Sequence, residues 1–397
     1  MNIGASGVLD SLDPTTGGKV YNDPEYQKAL ARLDVVILNF YPGWNGDTDG
    51  SIIRRAVLAM KALNPRLKVG QYTILGEASD NPVASDDDDV IFKLDHMNWW
   101  VRDAVTGAKL QWTSRYSAYD INITDWSPAD ENGDRYPQWL ARRNFQRYFS
   151  PVPELDVWYF DGAMKYSRVA PANWRWDGVN VSSQDPEVAS RFRQAHAAHW
   201  AMAAAVAPNR LQMANPDNDL SYPEYTGRMQ AAFLEGLMGR SWSIETQQGW
   251  LPMMQRYFTV AANLKQPKLL AFNASGAATD YRFFRYAFTS CRLGDAYMAF
   301  NEVGPPTYTT VPWFDEYEVA FGSPVDPPTL TAWSNGVYRR RFEKALVLVN
   351  PNDDARTVTL EPGWRRILAN QDPVANNGTP VQTLTLPPKD GLVLVRE

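Results

Sequence analysis

Two apolar runs in the sequence each end in a single carboxylate followed by glycine. They are Asp156-Val-Trp-Tyr-Phe-Asp161-Gly162 and Gln230-Ala-Ala-Phe-Leu-Glu235-Gly236. Each run predicts a buried strand that delivers one acid to its C-terminal end. Two acids that converge at the mouth of a parallel α/β barrel are the minimum apparatus for glycoside hydrolysis. We therefore take Asp161 and Glu235 as the candidate catalytic residues.

Each acid also has a simpler interpretation. Asp161 could cap a following helix, and Glu235 could form a salt bridge at the end of its strand. If both are catalytic, we expect Asp161 to be the nucleophile and Glu235 the general acid/base, because apolar surroundings favour a protonated carboxyl group. A carboxyl separation of about 5 to 5.5 Å predicts retention, and one of about 6.5 to 9.5 Å predicts inversion. The sequence leaves this distance open.

Other polar and aromatic residues lie at predicted strand ends or in loops, where they could bind a substrate. Amides and phenols both donate and accept hydrogen bonds, which suits sugar hydroxyls. The candidate substrate-binding residues are Asn39, Tyr41, Trp44, Tyr72, Asp120, Asn122, Lys165, Asn215, Asn273, Glu302 and Trp313. A structural hydrogen bond is the alternative for each of them. Asp125 and Glu302 are the reserve catalytic candidates.

The chain is rich in aromatic residues, with 15 Trp and 19 Tyr among 397 residues. Sugars have apolar C–H faces and polar rims, so indole and phenol rings beside polar groups suit them. Further tryptophans in polar, loop-like segments are Trp99, Trp100, Trp112, Trp174, Trp176, Trp242 and Trp250. Core packing is the alternative for most of these rings.

Several other classes of protein are disfavoured. The net charge of −6 argues against a nucleic-acid partner, and no apolar run is long enough to cross a membrane. His196 and His199 are three residues apart without an apparent third ligand, so we expect no metal and no cofactor. The run Asp86–Asp89 indicates a solvated loop or the first turn of a helix, with calcium binding as the alternative. The single cysteine, Cys291, predicts a buried thiol.

Some properties stay open at this level. The N-terminus lacks a basic region followed by an apolar one, so the protein is either cytoplasmic or has lost a signal peptide. The oligomeric state is not readable from the sequence. No G-x-S-x-G, GxxxxGK[ST] or strand-linked GxGxxG motif is present, which disfavours serine hydrolase, P-loop and Rossmann chemistry.

Strand and helix patterns alternate from residue 33 to about residue 302, which favours a (β/α)8 TIM barrel over the alternative, a doubly wound open sheet. The predicted strands are 33–40, 68–74, 118–125, 156–161, 211–216, 230–235, 268–274 and 296–302. The predicted helices are 51–63, 135–149, 185–207, 249–264 and 280–293. Asp161 and Glu235 thereby follow the fourth and sixth strands.

The composition changes after the eighth predicted strand. Proline-rich segments between residues 305 and 328 form a connector, and short alternating runs follow it. The runs are 336–342, 344–350, 355–360, 381–386 and 391–395. They indicate a small antiparallel β-sandwich, so we expect a barrel over residues 1–325 and a sandwich over residues 326–397.

The chain resembles bacterial families of hypothetical glycosyl hydrolases, which are related in layout to polygalactosaminidase-type barrels. The matching motifs are Tyr159-Phe-Asp-Gly162, Phe233-Leu-Glu-Gly236, Trp313-Phe-Asp-Glu-Tyr-Glu-Val-Ala-Phe-Gly-Ser-Pro324, Val337-Tyr-Arg-Arg-Arg-Phe342 and Leu346-Val-Leu-Val-Asn-Pro351. The resemblance implies a TIM barrel that hydrolyses sugars. The chain is also similar to retaining α-galactosidase and α-glucosidase barrels, whose nucleophile and acid/base follow strands four and six. Those barrels use Asp as the acid/base, and Glu235 departs from that pattern.

These observations favour a glycoside hydrolase that acts on an oligosaccharide or polysaccharide, with retention of configuration. Two alternatives remain at this level. One is a carbohydrate-binding barrel without catalysis, since a fold does not determine a function. The other is a transglycosylase that uses the same two acids and a sugar acceptor in place of water.

Overall fold

Strands and helices alternate along the chain in the computed structural model, which describes residues 2–5, 21–38, 47–80, 88–114, 118–303 and 310–397. The strands are β1 (Asn2–Ala5), β2 (Val35–Leu38), β3 (Lys68–Ile74), β4 (Glu77–Ser79), β5 (Ala118–Asp120), β6 (Val157–Asp161), β7 (Leu211–Ala214), β8 (Ala231–Met238), β9 (Leu269–Gly276), β10 (Tyr297–Glu302), β11 (Tyr338–Arg341), β12 (Ala345–Asn350), β13 (Arg356–Thr359), β14 (Trp364–Arg366), β15 (Thr383–Leu386) and β16 (Asp390–Arg396).

The helices are α1 (Pro24–Ala31), α2 (Ser51–Leu63), α3 (Asp88–Met97), α4 (Tyr136–Asn144), α5 (Pro186–Val206), α6 (Ile244–Gln248), α7 (Trp250–Asn263) and α8 (Tyr281–Arg292). A π-helical turn, Phe145–Phe149, continues α4, and a 3₁₀ turn covers Asp315–Glu318. Among the described residues, no helix is both long and apolar enough to cross a membrane.

The main sheet has eight strands in the order β1-β2-β3-β6-β7-β8-β9-β10. Its pairings are parallel from β1 to β8 and again from β9 to β10. The order along the sheet follows the order along the chain, without the reversal that defines a doubly wound sheet. The predicted (β/α)8 fold class is therefore confirmed. In this sheet β6 is the fourth strand and β8 the sixth, as the sequence predicts.

The prediction of a third barrel strand at residues 118–125 is wrong. Residues 118–120 form β5, which pairs antiparallel with β4 in a separate two-stranded sheet. The segment alternates polar and apolar residues, and this pattern is typical of an antiparallel strand, whereas barrel strands are apolar on both faces. The short strand β1 is the eighth member of the main sheet. Its four residues are too few to show a periodic pattern.

Local capping explains where the long helices begin. Asp185 precedes α5 and accepts hydrogen bonds from the backbone N–H groups of Glu187 and Val188, with proline at the first helical position. Asp280 caps α8 in the same way through the N–H of Phe283. Such caps satisfy N–H groups that the first turn leaves unpaired. No helix lies between β7 and β8, which turns connect instead.

Two compact units divide the chain by their internal contacts. The first comprises Asn2–Phe233 and Val260–Leu269, and within it a cluster of buried rings and aliphatic side chains surrounds Trp99 and Trp100. The second comprises Leu234–Thr259 and Leu270–Glu397. The domain boundary between residues 325 and 326 stays a prediction.

The second unit contains the predicted C-terminal β domain. One antiparallel sheet has the order β11-β12-β16-β14, and a second consists of β13 and β15. Both sheets contribute to one buried apolar cluster, which includes Leu348, Val358, Leu384 and Leu394. In β13 and β15 the apolar residues are buried and the polar residues between them are half-buried or exposed, as predicted, whereas β12 is buried along its whole length.

A buried arginine connects α8 to the β domain within this unit. Arg285, which is 4% exposed, donates to both carboxylate oxygens of Asp390 at 3.2 Å and to Asp372 at 2.5 Å. Burial raises the pKa of Asp390, and the charge of Arg285 opposes this effect. The pairing keeps a buried carboxylate compensated.

Replacing Arg285 by Met should destabilise the protein by about 3 to 5 kcal/mol, because Asp390 would stay buried without its cation. Urea denaturation followed by tryptophan fluorescence measures this change. Arg339→Met is the matched control, since Arg339 pairs with the more exposed Glu361 at 3.0 Å and should cost less than about 1 kcal/mol. Equal losses in the two variants would contradict this account of the buried pair.

Candidate active site

Asp161 is the last residue of β6, whose four preceding residues are buried. Gly162 follows with φ 62°, a left-handed conformation that glycine adopts without strain and that turns the chain away from the strand. Residues 162–185 contain no helix. The alternative that Asp161 caps a following helix is therefore excluded, and its half-buried carboxylate needs other partners.

The partners of Asp161 come from the neighbouring strands of the first unit. Tyr72 on β3 donates its hydroxyl to Oδ2 at 2.5 Å, and Asn215, which follows β7, donates its amide to Oδ1 at 3.0 Å. The Tyr159 hydroxyl lies 3.5 Å from Oδ1, and its ring stacks on Tyr72. The register pairs Ile74 with Asp161. Two predicted substrate-binding residues, Tyr72 and Asn215, thus hold the candidate nucleophile in one orientation.

A further acid, Glu77, lies close to Asp161 and was not anticipated. It follows β3 by three residues, and the Trp112 indole N–H donates to its carboxylate at 2.6 Å. Burial raises the pKa of Glu77, and the negative charge of Asp161 raises it further. The sequence signal is the dipeptide Gly76-Glu77 shortly after a largely buried strand, which reverses the acid-then-glycine order of the other two sites.

Asp120 faces Glu77 across the antiparallel β4–β5 pair. The Ser167 hydroxyl and the Trp112 backbone N–H each donate to Asp120 at 2.9 Å. Burial raises the pKa of Asp120 to about 6; Glu77 contributes in the same direction and Arg168 in the opposite one. Arg168 also covers the Trp112 ring at 4.6 Å from its centroid. Two acids with raised pKa values therefore lie near the candidate nucleophile.

Glu235 lies within β8 rather than at its end, because the strand continues to Met238. Its side chain is half-buried. Gly236 has φ 64°, and its N–H donates to Oδ1 of Asn273 at 2.9 Å. Asn273 in turn donates to Ala299 O and Asn301 Oδ1. The predicted substrate-binding residue Asn273 thus positions the backbone beside Glu235.

Two other predicted residues are engaged in contacts of the first unit. Asn122 is 1% exposed. Its amide nitrogen donates to Trp174 O, and its amide oxygen accepts a hydrogen bond from the Thr124 hydroxyl. The ammonium group of Lys165 lies 5.3 Å from the Tyr166 ring centroid. Asn122 thereby binds the backbone of the loop that contains Trp174, and the Lys165 side chain contacts a neighbouring tyrosine ring.

The remaining predicted residues have local surroundings of their own. Glu302 is the half-buried last residue of β10, and the Trp313 indole donates to Glu318 at 2.8 Å. Asp125, a reserve catalytic candidate, pairs with Arg191 at 2.6 Å and is largely exposed. Asn39, Tyr41 and Trp44 lie outside the described residues.

The histidines and the cysteine are structural in character. His196 and His199 are buried on α5, and burial lowers their pKa values to about 3 and about 4. His199 Nδ1 lies 2.6 Å from Pro137 O. Cys291 is buried, and burial raises the pKa of its thiol to about 12. Within the described part of the chain, no group of three or more His, Cys, Asp or Glu side chains could hold a metal ion.

The raised pKa of Asp120 has a measurable consequence for stability. Folded Asp120 keeps its proton up to about pH 6, whereas the unfolded side chain releases it near its ordinary value, so folded wild-type protein loses stability as the pH rises through this window. The Asp120→Asn variant has no carboxyl group at this position, so it lacks this pH-dependent loss of stability. The stability of the variant relative to wild type should rise between pH 4 and pH 7 by up to about 3 kcal/mol.

Asp103→Asn is a control of opposite sign for urea denaturation at each pH. Hydrogen bonding, first from the backbone of Thr106, lowers the pKa of Asp103 to about 2. Its ionisation therefore stabilises the folded protein above the unfolded pKa, and this contribution is lost as the pH falls towards 2. A pH-independent difference between Asp120→Asn and wild type would refute the assignment for Asp120.

Comparison with solved structures supports the fold. The chain is similar to an α-amylase from Geobacillus thermoleovorans complexed with acarbose, with TM-score 0.54, 12% identity, and coverage of 100% of this chain and 97% of that one. For an α-amylase from Lactobacillus plantarum the values are 0.54, 11%, 100% and 99%. For the isomaltulose synthase from Protaminobacter rubrum they are 0.53, 10%, 100% and 98%. At these identities the likeness concerns the fold alone.

Sequence comparison establishes the family. A search of curated proteins finds no significant match. Residues 61–346, more than half of the chain, match the model of hypothetical glycosyl hydrolase family 15. This agrees with the motifs around Asp161 and Glu235 and with the (β/α)8 fold. The protein belongs to hypothetical glycosyl hydrolase family 15 and is a glycoside hydrolase that acts on a carbohydrate.

Proposed function

We propose that this glycoside hydrolase cleaves an oligosaccharide or polysaccharide by double displacement, with Asp161 as the nucleophile and Glu235 as the general acid/base. The observation that supports this most is the orientation of Asp161 by Tyr72 and Asn215 at the C-terminal end of the fourth sheet strand. In barrels of parallel strands, catalytic side chains lie at the C-terminal ends.

The surroundings of Asp161 suit nucleophilic attack. Tyr72 and Asn215 restrict rotation of the carboxylate, so an oxygen is presented to the anomeric carbon without a further loss of conformational freedom. In the first step, a carboxylate oxygen of Asp161 bonds to the anomeric carbon while Glu235 protonates the departing glycosidic oxygen. In the second, Glu235 takes a proton from water, the water oxygen bonds to the anomeric carbon, and Asp161 leaves as a carboxylate.

The role of Glu235 rests on topology and on the family resemblance. β8 is the sixth strand of the main sheet, the position of the acid/base in the retaining barrels that the sequence resembles. The glycine after each acid has positive φ, 62° at Gly162 and 64° at Gly236, so the two strands carry their acids in a similar local geometry.

The other proposed substrate-binding residues differ in whether their polar groups already have partners within the protein. Asp120 faces Glu77, which lies close to the proposed nucleophile. In contrast, the side-chain amides of Asn122 and Asn273 donate hydrogen bonds to backbone carbonyl groups of the protein. Lys165, Glu302 and Trp313 stay in the proposal together with Asn39, Tyr41 and Trp44. The sugar that they recognise is to be identified on a panel of plant, fungal and bacterial cell-wall glycans.

Asp161→Asn and Glu235→Gln should each reduce turnover at least about 1,000-fold, because each removes a group that acts in the transition state. Product analysis on the glycan panel measures this loss, and circular dichroism checks that the fold is kept. Asp125→Asn is the matched control, since it neutralises an exposed acid paired with Arg191. Near-normal turnover in either catalytic variant would remove that residue from the mechanism.

The stereochemical outcome separates the proposal from its alternatives. Proton NMR of the first product formed should show the anomer of the substrate, and an inverted anomer would exclude double displacement. Adding a sugar acceptor tests transglycosylation, because that activity would give longer products in place of hydrolysis. Binding to a glycan that wild-type protein never cleaves would support a non-catalytic role.

A further inference from the structure

Trp242 is an exposed indole in the second unit. The residue is 57% exposed, and among the described residues it is the only tryptophan in the exposed class. Single exposed apolar side chains are common on proteins and need no functional explanation by themselves. Trp242 differs from such residues in three respects: its ring lies beside Gly236, the turn that carries it is hydrogen-bonded, and one face of the ring is open.

The position of Trp242 is next to the proposed acid/base. Its six-membered ring lies against Gly236, the residue that follows Glu235. A Cβ at position 236 would overlap Cζ3 and Cη2 of the indole. Only glycine allows both this close contact and the positive φ of 64°. The sequence thus keeps a bare backbone position beneath an exposed ring, one residue from Glu235.

The turn that carries Trp242 is held by its own hydrogen bonds. The Ser243 N–H donates to Arg240 O at 3.0 Å, and the Arg240 N–H donates to the Ser243 hydroxyl at 2.9 Å. Gln247 also donates to Ser241 O at 2.5 Å. Ser243 is buried, which anchors the turn beside the indole. These hydrogen bonds hold the backbone that carries the indole, and the contact with Gly236 restricts the ring itself, so the ring loses little freedom when it binds a ligand.

The faces of comparable indoles are covered. Guanidinium groups lie over Trp112, Trp126 and Trp333, at 4.6, 4.5 and 4.1 Å from the ring centroids. These tryptophans therefore already have a partner for a face of the π-system. Within the part of the chain that the structure describes, no ring or guanidinium stacks on Trp242.

We propose that the open face of Trp242 stacks on a sugar ring of the bound glycan and so forms a binding subsite beside Glu235. The apolar C–H face of a sugar matches an aromatic face, and the contact removes exposed apolar area of the indole from water. This inference rests on the proposed role of Glu235 for its location. Its occupant is a sugar ring, and binding can be measured independently of cleavage.

The test uses full-length Asp161→Asn protein, in which bound glycan is not consumed. Isothermal titration calorimetry measures binding of the hexasaccharides of cellulose, xylan, mannan, chitin and starch. Adding Trp242→Ala should weaken binding about 10-fold or more, and Trp242→Phe should restore part of it because a smaller ring still stacks. Phe92→Ala is the control, since Phe92 is a 72% exposed ring on α3 and should leave binding unchanged.

The outcomes separate this inference from the proposed function. Unchanged affinity in Trp242→Ala, or no binding of any hexasaccharide by the Asp161→Asn parent, overturns the inference. If a hexasaccharide binds through Trp242 but wild-type protein does not cleave it, the subsite stands and the proposed function fails. If wild-type protein cleaves it and Trp242→Ala has the same KM and kcat, the function stands and the subsite fails.

Discussion

A carboxylate at the end of an apolar strand is the constraint on which the candidate active site depends. The four residues of β6 before Asp161 are buried, so the charged group that follows them lies at the edge of an apolar core. Such a group requires hydrogen-bond donors, because water cannot fully solvate it. Parallel pairing with β3 and β7 supplies these donors from Tyr72 and Asn215. The strand pairing that builds the sheet thereby also orients the proposed nucleophile.

The small antiparallel pair β4–β5 adds a second constraint in the first unit. It places Glu77 and Asp120 opposite each other, and Glu77 interacts with the charge of Asp161. Burial is the main cause of the raised pKa values of Glu77 and Asp120; the negative charge of Asp161 adds to the effect at Glu77, and that of Glu77 adds to it at Asp120. Arg168 offsets part of this repulsion. The proposed nucleophile therefore lies near Glu77, which in turn faces Asp120.

In the second unit, the backbone next to Glu235 is held in one conformation by its neighbours. Gly236 has a positive φ, and its N–H donates a hydrogen bond to the Asn273 side chain. The Trp242 ring occupies the space that a side chain at position 236 would take. In the same unit, Arg285 connects α8 to the β domain through two acids. The β domain is thus attached to a barrel helix by a buried charge pair, which demands correct geometry rather than apolar contact alone.

The sequence by itself determined the fold class, the ranges of most strands and helices, and the placement of Asp161 and Glu235 on two strands of the main sheet. Their positions as fourth and sixth strands agree with the prediction because β1, which was not predicted, takes the place in the count of the wrongly predicted strand at 118–125. These properties depend on local periodicity and capping, as at β3, α2 and Asp185, and local patterns are legible in a sequence. Only the tertiary structure decided that residues 118–120 leave the main sheet and that β1 joins it. It also decided that Tyr72 and Asn215 contact Asp161, that Glu77 lies nearby, and that Asn122 and Asn273 serve internal hydrogen bonds. Contacts between residues distant in sequence depend on strand pairing and register, which a local pattern does not specify.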